Sequence, residues 1–451
     1  MTSIIISPRL ARGKPPGTAM LASTLAAALS RRGVHYGWIV IATTFFSALV
    51  MAGAVGLPGA FILPLSKEFG WDTAQISTAM AVRFALFGLM GPFSAALIEK
   101  YGPRRVMICA QALVFAGLAG SLAMTSLWQL FLFWGLMIGF GTGLTALVLA
   151  AIISTRWFVE RRGLVVGVLT AATATGQLVF LPFASLLIET YGWRLALVPS
   201  LVAIGLAAVA VLTLLAERPS DVGLRAYGEK ADAPQAAPAA PVGNPIARAF
   251  GALGEAARVP AFWLLAGSFF ICGLSTNGLV QTHFIPLCVD YGLQAVAAAS
   301  VLAMMGVFDF VGTIASGYLS DRVDSRKLLF WYYGLRGLSL LWLPFSTFTI
   351  YGLSIFAIFY GLDWIATVPP TVKLAGSVFG REKAGLVFGW IFAAHQIGAA
   401  LAALGGGLSK TYLLTYAPAF WVAGAACLLA AAFSLMVGRK SGGAQVAPAA
   451  A

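Results

Sequence analysis

Ala95-Ala96-Leu97-Ile98-Glu99-Lys100-Tyr101-Gly102-Pro103-Arg104-Arg105 joins two long apolar runs. Gly317-Tyr318-Leu319-Ser320-Asp321-Arg322-Val323-Asp324-Ser325-Arg326-Lys327 repeats its pattern 222 residues later (99 to 321, 104 to 326). In both, an acid closes an apolar stretch, a short turn follows, and two cations open the next. The same offset sets Gly56 on Gly278, Pro64 on Pro286, Gly139 on Gly361, Gly167 on Gly389 and Gly176 on Gly398. It also sets Gly163-Leu164-Val165 on Gly385-Leu386-Val387. One offset held over this length marks a duplicated unit.

Working outward, the unit is apolar almost throughout. The 451 residues are 60% hydrophobic and 10% charged, with a mean hydropathy of +0.89. Too few charges are present to clothe a water-facing surface, which excludes a soluble enzyme. Long apolar runs read as twelve spans, at 37–65, 73–98, 104–125, 128–155, 163–189, 193–216, 261–288, 293–319, 327–345, 349–372, 384–408 and 415–437. Lipid admits only helices and closed barrels, and these runs are too long and too continuously apolar for barrel strands. The fold class is therefore all-α integral membrane: twelve transmembrane helices as two six-helix bundles. A shift of six spans keeps chain direction, so the halves are parallel repeats, an arrangement that places substrate near mid-membrane between them.

Of the 29 Lys and Arg, 24 fall before span 1, after every even span or in the central linker, which is one side of the membrane. Lys67, Arg194 and Lys410 fall on the other; Arg83 and Arg336 lie inside spans. The positive-inside rule then puts both termini in the cytoplasm, as expected of a multi-pass cell or inner membrane protein. The net charge of +13 is spread over short loops, which removes a nucleic-acid reading. The expected divisions are an arm at 1–35, bundles at 36–216 and 261–438, a linker at 217–260 and a tail at 439–451. The arm reads as loose, with Met20–Leu29 too short to span. Within the linker Ala231–Pro245 reads as disordered. Ile246–Arg258 has the spacing of either a surface helix or a plain tether.

The four cysteines form no CxxC pair, three histidines on separate spans make no metal site, and no phosphate-binding GxxxxGK[ST] occurs. No cofactor or metal is expected, and an enzyme or a receptor is disfavoured.

The paired loops resemble the signature of the major facilitator superfamily, and the likeness covers nearly all of the chain beyond residue 35. It implies a conformational lock at Glu99, Lys100, Arg104 and Arg105, and at Asp321, Arg322 and Arg326 in the copy. It also implies a cavity lined by helices 1, 4, 7 and 10, an interface of 2, 5, 8 and 11, and a monomer. His35-Tyr36-Gly37-Trp38 and Trp157-Phe158-Val159-Glu160-Arg161-Arg162-Gly163 resemble more narrowly the monocarboxylate transporters and the oxalate/formate antiporters. Asp309 fits the acid on helix 8 of the former, but Thr313 stands where their Arg would be.

Four formal charges lie mid-span: Arg83, Asp309, Arg336 and Asp363. Each costs about 2.5–3.5 kcal/mol at a helix centre on insertion scales, so they are expected to pair or face water. Arg336 is read as a structural partner of Asp309 or Asp363, with Asp309 the assigned pair. Asp309 is equally a protonation site. Asp363, with Tyr360 and Thr367 on its helical face, is a substrate or proton residue. Arg83 faces Met305 across the repeat and is either an anion clamp or a packing residue. His395, opposite Thr173 in the repeat, suits proton coupling. Asn277 and Gln281 form a polar stripe on helix 7 that reads as facing the cavity and binding substrate, and His283 near its outer end reads as a substrate gate; each has a plain packing alternative.

The expected function is secondary active transport of a small organic anion, a carboxylate by resemblance, by alternating access and coupled to H+. The alternative is anion exchange or export of amphipathic small molecules.

Overall fold

A computed structural model describes residues 17–145, 148–229 and 244–438. Within them the structure is helical apart from one bridge between Phe158 and Tyr227. Twelve helical passes follow the expected spans. They are α1 (Gly37–Gly56 and Pro58–Phe69), α2 (Thr73–Tyr101), α3 (Pro103–Ser121) and α4 (Leu127–Leu130, Phe131–Ile138, Gly139–Gly143 and Val148–Trp157). Next come α5 (Arg162–Val179 and Leu181–Tyr191), α6 (Trp193–Ala196 and Val198–Leu214), α7 (Pro260–Gly273, Leu274–Val280 and Gln281–Asp290) and α8 (Ala295–Arg322). The last four are α9 (Ser325–Trp342), α10 (Ile350–Asp363 and Val368–Phe379), α11 (Arg381–Leu413) and α12 (Ala417–Met436). By length and composition, 8 helices among the described residues are apolar enough to cross a membrane on their own. Of the others, α4 and α5 are interrupted, and α3 and α9 begin with paired cations.

The outside of the bundle is apolar. Phe115 on α3, Val202, Leu206 and Val209 on α6, Trp331, Leu335 and Leu338 on α9, and Val422 and Leu429 on α12 are all exposed. Such a surface suits hydrocarbon rather than water. The protein is a multi-pass integral membrane protein, and α3, α6, α9 and α12 carry much of its lipid-facing surface.

The repeat survives in the packing. A methyl group on Gly139 would lie 3.1 Å from Cα of Arg83, and one on Gly361 would lie 2.8 Å from Cα of Met305, the residue 222 positions on. Gly176 is pressed against the Leu49 carbonyl on α1, and Gly398 against the Phe270 carbonyl on α7. Small residues thus bring helix backbones together at equivalent crossings in both halves, as dispersion-driven packing in lipid requires.

The halves meet where α2 runs along α11 and α5 along α8. At the end away from the paired cations, Ala74 N–H donates to Thr411 Oγ1 at 3.1 Å and Gly59 presses on the Gln281 carbonyl. That end is closed.

One expectation for the flanking segments is corrected and one open alternative is decided. The arm is not loose in its second half: Gly17–Ser30 is a helix that packs on α6, with Ala22 and Ala26 buried. Of the two readings left open for Ile246–Arg258, a surface helix and a plain tether, the structure has a helix, and the linker is packed at both ends. Its start runs back over α1 and α4, where His35 Nε2 donates to the Arg225 carbonyl at 3.0 Å and Tyr227 N–H donates to the Trp157 carbonyl at 2.8 Å. Its end, Pro245–Ala256, lies across the α2–α11 seam, with Phe250 between Phe93 and Trp390. The reading of residues 1–16, of most of Ala231–Pro245 and of the tail lies outside the described residues.

Candidate functional site

Proline decides where polar groups are needed inside these helices. It has no N–H to give the carbonyl four residues earlier, and lipid offers no substitute donor. Pro58 leaves the Ala54 carbonyl of α1 in that position. Arg83 of α2 supplies the missing donor: its Nη1 lies 3.4 Å from the Ala54 carbonyl and 2.9 Å from that of Val55. The side chain is 2% exposed, its guanidinium sits 4.5 Å over the Phe84 ring, and Nε has no partner among the described residues. Neither of those partners is an acid.

In α10 the pair Pro369-Pro370 has a larger effect. The helix stops at Asp363 and restarts at Val368, so the expected continuous face from Tyr360 through Asp363 to Thr367 is broken. Charged and polar groups from two other helices meet the freed backbone, and a third helix contacts a side chain there. Arg336 on α9 donates from Nη2 to the carbonyls of Asp363 and Trp364, at 2.5 and 3.2 Å. Ser316 on α8 donates at 2.5 Å to the Ala366 carbonyl that Pro370 leaves bare. Asp309 on α8 accepts the Ile365 N–H at 2.9 Å and the Thr313 hydroxyl at 3.0 Å. Cys272 on α7 contacts Thr367 Oγ1 at 3.3 Å.

The ion pair differs from the one expected. Arg336 Nε donates to Asp363 Oδ2 at 2.6 Å, and the assigned Arg336–Asp309 pair does not form. Asp309 is instead spent on the backbone of the break, because its helix faces residues 363–366 directly. Its Oδ2, like Asp363 Oδ1, has no partner among the described residues. Arg336 Nη1 also reaches Cys272 Sγ at 3.0 Å and Ser275 Oγ at 3.4 Å, and Tyr360 donates to the Ser275 carbonyl at 2.8 Å.

The remaining candidates are scattered. His395 lies where α11 meets α7, between the rings of Phe269 and Phe392 at 4.8 and 5.8 Å, with Nδ1 unpartnered among the described residues. Asn277 donates to Gln281 at 2.8 Å, one turn apart, in and just after a stretch of α7 wound as π-helix. His283 is fully buried, donates from Nε2 to the Ala403 carbonyl at 2.7 Å and faces Tyr416. That contact is interhelical packing.

In the paired loops, Arg104 donates to the Leu212 carbonyl, and Lys100 and Arg322 lie over Tyr101 and Tyr318. Asp321 is 3.9 Å from Lys373 of α10. The Glu99 side chain lies outside the described residues. Arg326 pairs with Asp324 at 2.8 Å rather than with Asp321, because Asp324 caps α9 and holds the cation locally.

Sequence reasoning missed Ser316, Cys272 and Ser275. Pro369-Pro370 was the available signal, since two adjacent prolines guarantee unpaired carbonyls one turn back.

A profile of the Major Facilitator Superfamily matches residues 43–403. The chain belongs to that superfamily. Its relatives include "Monocarboxylate transporter 13" of Rattus norvegicus, 28% identical over 396 residues, covering 86% of each chain. They also include the "Fujikurins efflux protein" of Gibberella fujikuroi, 27% identical over 418 residues, covering 88% of this chain and 81% of that one. Among solved structures, a D-xylose-proton symporter superposes with a TM-score of 0.66 at 15% identity, over 88% of this chain and 97% of that one. As a member of the superfamily the protein is a membrane transporter for small molecules, not an enzyme.

Proposed function

We propose that the protein carries a small organic carboxylate together with a proton, by alternating access, with its basic end in the cytoplasm. One observation carries the reading: the two halves hold opposite net buried charge. Among the described residues the N-terminal half buries Arg83 with no partnering acid. The C-terminal half has Arg336 against Asp363, which leaves Asp309 over.

Burial makes each uncompensated charge expensive. A carboxylate placed on the free edge of Arg83 neutralises one half, and a proton on Asp309 Oδ2 neutralises the other. Loaded or empty, the sum stays zero, so this cycle is electroneutral with one proton per anion. The planar guanidinium presents paired donors to a carboxylate, which an ammonium does not. Asn277, Gln281 and His395 serve orientation in this reading. The similarity to a protein named as an efflux protein favours a second reading, export of a bulkier acid from the same site.

The test is uptake of radiolabelled lactate, pyruvate and benzoate into proteoliposomes under an imposed pH gradient. Wild-type protein is expected to accumulate at least one of them, with no response to membrane potential. Asp309→Asn is expected to lose accumulation yet keep anion exchange. Uptake indifferent to the pH gradient would sink proton coupling, and accumulation only against the reverse gradient would select the export reading.

A further inference from the structure

On the lipid side of the C-terminal half, towards the end away from the paired cations, an apolar crevice of about 440 Å³ lies between α7, α11 and α12. Leu274 and Leu279 of α7 form one wall and Val422 of α12 the other, with Leu401, Gly405 and Ser409 of α11 between them. The N-terminal half has a matching crevice between α1, α5 and α6, and it is smaller, about 260 Å³. The match runs residue by residue: Leu57, Phe180, Phe183 and Ala184 lie 222 positions before Leu279, Ala402, Gly405 and Gly406. The same helices of the repeat build both crevices, and what fills them differs. Phe180 and Phe183 bring two phenyl rings to the first, where the Phe180 ring lies 3.2 Å from a methyl group placed on Gly53 of α1. Ala402 and Gly405 bring none to the second, and a methyl group on Gly405 would meet no heavy atom within 4 Å.

Three properties define the occupant. No Lys, Arg, Asp or Glu lines the crevice, and a charge entering it would go unanswered. Ser409 Oγ already donates to the Thr415 carbonyl at 2.7 Å, so it asks for no hydrogen-bonding guest. The repeat supplies the shape that fits, because two of the chain's own rings border the equivalent space. We propose that the crevice between α7, α11 and α12 binds a neutral aromatic molecule of two or three rings, taken from the bilayer. An apolar cavity of about 150 Å³ takes benzene, and this crevice is about three times larger. A rigid ring system loses little conformational freedom on entering, whereas an acyl chain must be ordered along its length. Tyr412, exposed at the rim, adds an aromatic contact.

Leu274 and Leu279 belong to the stretch of α7 wound as π-helix, Leu274–Val280, so the guest bears directly on it. It reaches the helix that carries Asn277 and Gln281 without entering the seam between the halves. The proposal does not depend on the transport reading.

Photolabelling of the full chain in lipid nanodiscs tests it. The probe is a phenyl trifluoromethyl diazirine, the competitor is biphenyl, and labelled sites are mapped by peptide mass spectrometry. Labelling is expected to concentrate on residues 401–413, and biphenyl at about ten times its Kd is expected to lower it about tenfold. Gly405→Phe restores the ring that the N-terminal half carries at that position and is expected to abolish the competed labelling. Phe183→Gly, the reverse exchange, is expected to open a second competed site at residues 180–203. Phe183 is 53% exposed, so its removal costs little packing and keeps the test decisive should Gly405→Phe fail to fold.

Labelling spread evenly over the lipid-facing helices and untouched by biphenyl would overturn the proposal. Competition by hexadecane as strong as by biphenyl would make the crevice a plain acyl-chain groove and overturn the aromatic assignment. Competed labelling that survives in a folded Gly405→Phe protein, or no new competed site in Phe183→Gly, would show that the two rings do not decide occupancy.

Discussion

The crossing of α3 with α4 and the crossing of α9 with α10 are the same crossing in the two repeats, and they are filled in opposite ways. At the first, Gly141 packs on Val114, with a methyl group there 2.6 Å from Val114 Cγ2. At the second, the residues 222 positions on are Asp363 and Arg336, joined at 2.6 Å. The α2–α4 and α8–α10 crossings reverse the assignment: Arg83 stands under Gly139, and Met305 under Gly361. Backbone approach has been kept by the duplication, while the charges occupy different slots in each half. What the difference teaches is that close glycine contacts carry the architecture and that the buried ions are an asymmetric addition. Their asymmetry gives one half a surplus cation and the other a surplus acid.

Breaking the α9–α10 pair is the harshest way to probe that asymmetry. Arg336→Met strands the Asp363 carboxylate and the carbonyls of Asp363 and Trp364. Leaving one member of a buried pair alone costs about 3–5 kcal/mol. The variant is expected to melt well below wild type in a thermal unfolding assay in detergent. Arg336→Met/Asp363→Leu imitates the dry Val114–Gly141 crossing and is expected to recover much of the loss. A double variant no more stable than the single one would mean that the carbonyl contacts, not the ion pair, hold the break.

The α2 slot is milder to break, because Arg83 leaves no charge behind. Arg83→Gln loses a donor to the Ala54 and Val55 carbonyls, about 1–3 kcal/mol for a buried acceptor left unmet. Carboxylate stabilisation of the protein is expected to disappear in the same variant. The equivalent exchange Met305→Gln is expected to leave ligand stabilisation in place. Arg83→Gln that still gains heat stability from the wild-type ligand would return Arg83 to a purely structural role as the donor at Pro58.

The contrast also explains what could be read from the chain alone. Glycines and prolines at a fixed offset, the paired loops and the cation distribution made the twelve helices and their duplication legible, since helix geometry translates one residue spacing into one position. Side-chain partners were not legible in the same way. Arg336 can reach either acid, and only the halt of α10 at Asp363 turns Asp309 toward backbone and leaves Asp363 for the cation. Asp324 shows the same effect on a small scale: its place as the cap of α9 draws Arg326 away from Asp321. Contacts of this kind depend on angstrom-level helix placement, which no periodicity specifies.

The smallest effect expected lies at the chain entries of the two halves. His35 precedes α1, and Ala257 is its counterpart before α7. His35 Nδ1 accepts the Gly37 N–H at 3.1 Å while Nε2 donates to the Arg225 carbonyl at 3.0 Å, so the ring is neutral with its proton on Nε2. Burial holds its pKa below the ordinary 6.5, and the bond to the Arg225 carbonyl opposes that only in part. Trp157 and Tyr227 enclose the ring, Arg161 stands over Tyr227, and Arg225 brings a second cation nearby. Because the folded value lies below the unfolded one, this contribution to stability is complete above about pH 6.5 and is lost as pH falls through the folded value. Protonation removes the Gly37 bond, about 0.5–1.5 kcal/mol. Hydrogen exchange of the amides at 225–229, corrected for intrinsic rates, is expected to quicken between pH 7.5 and 5.5. The stretch at 257–263 is expected to stay constant. His35→Gln keeps an acceptor and a donor but does not titrate, so it is expected to abolish the difference; the same acceleration in that variant would show that the linker responds to some other group.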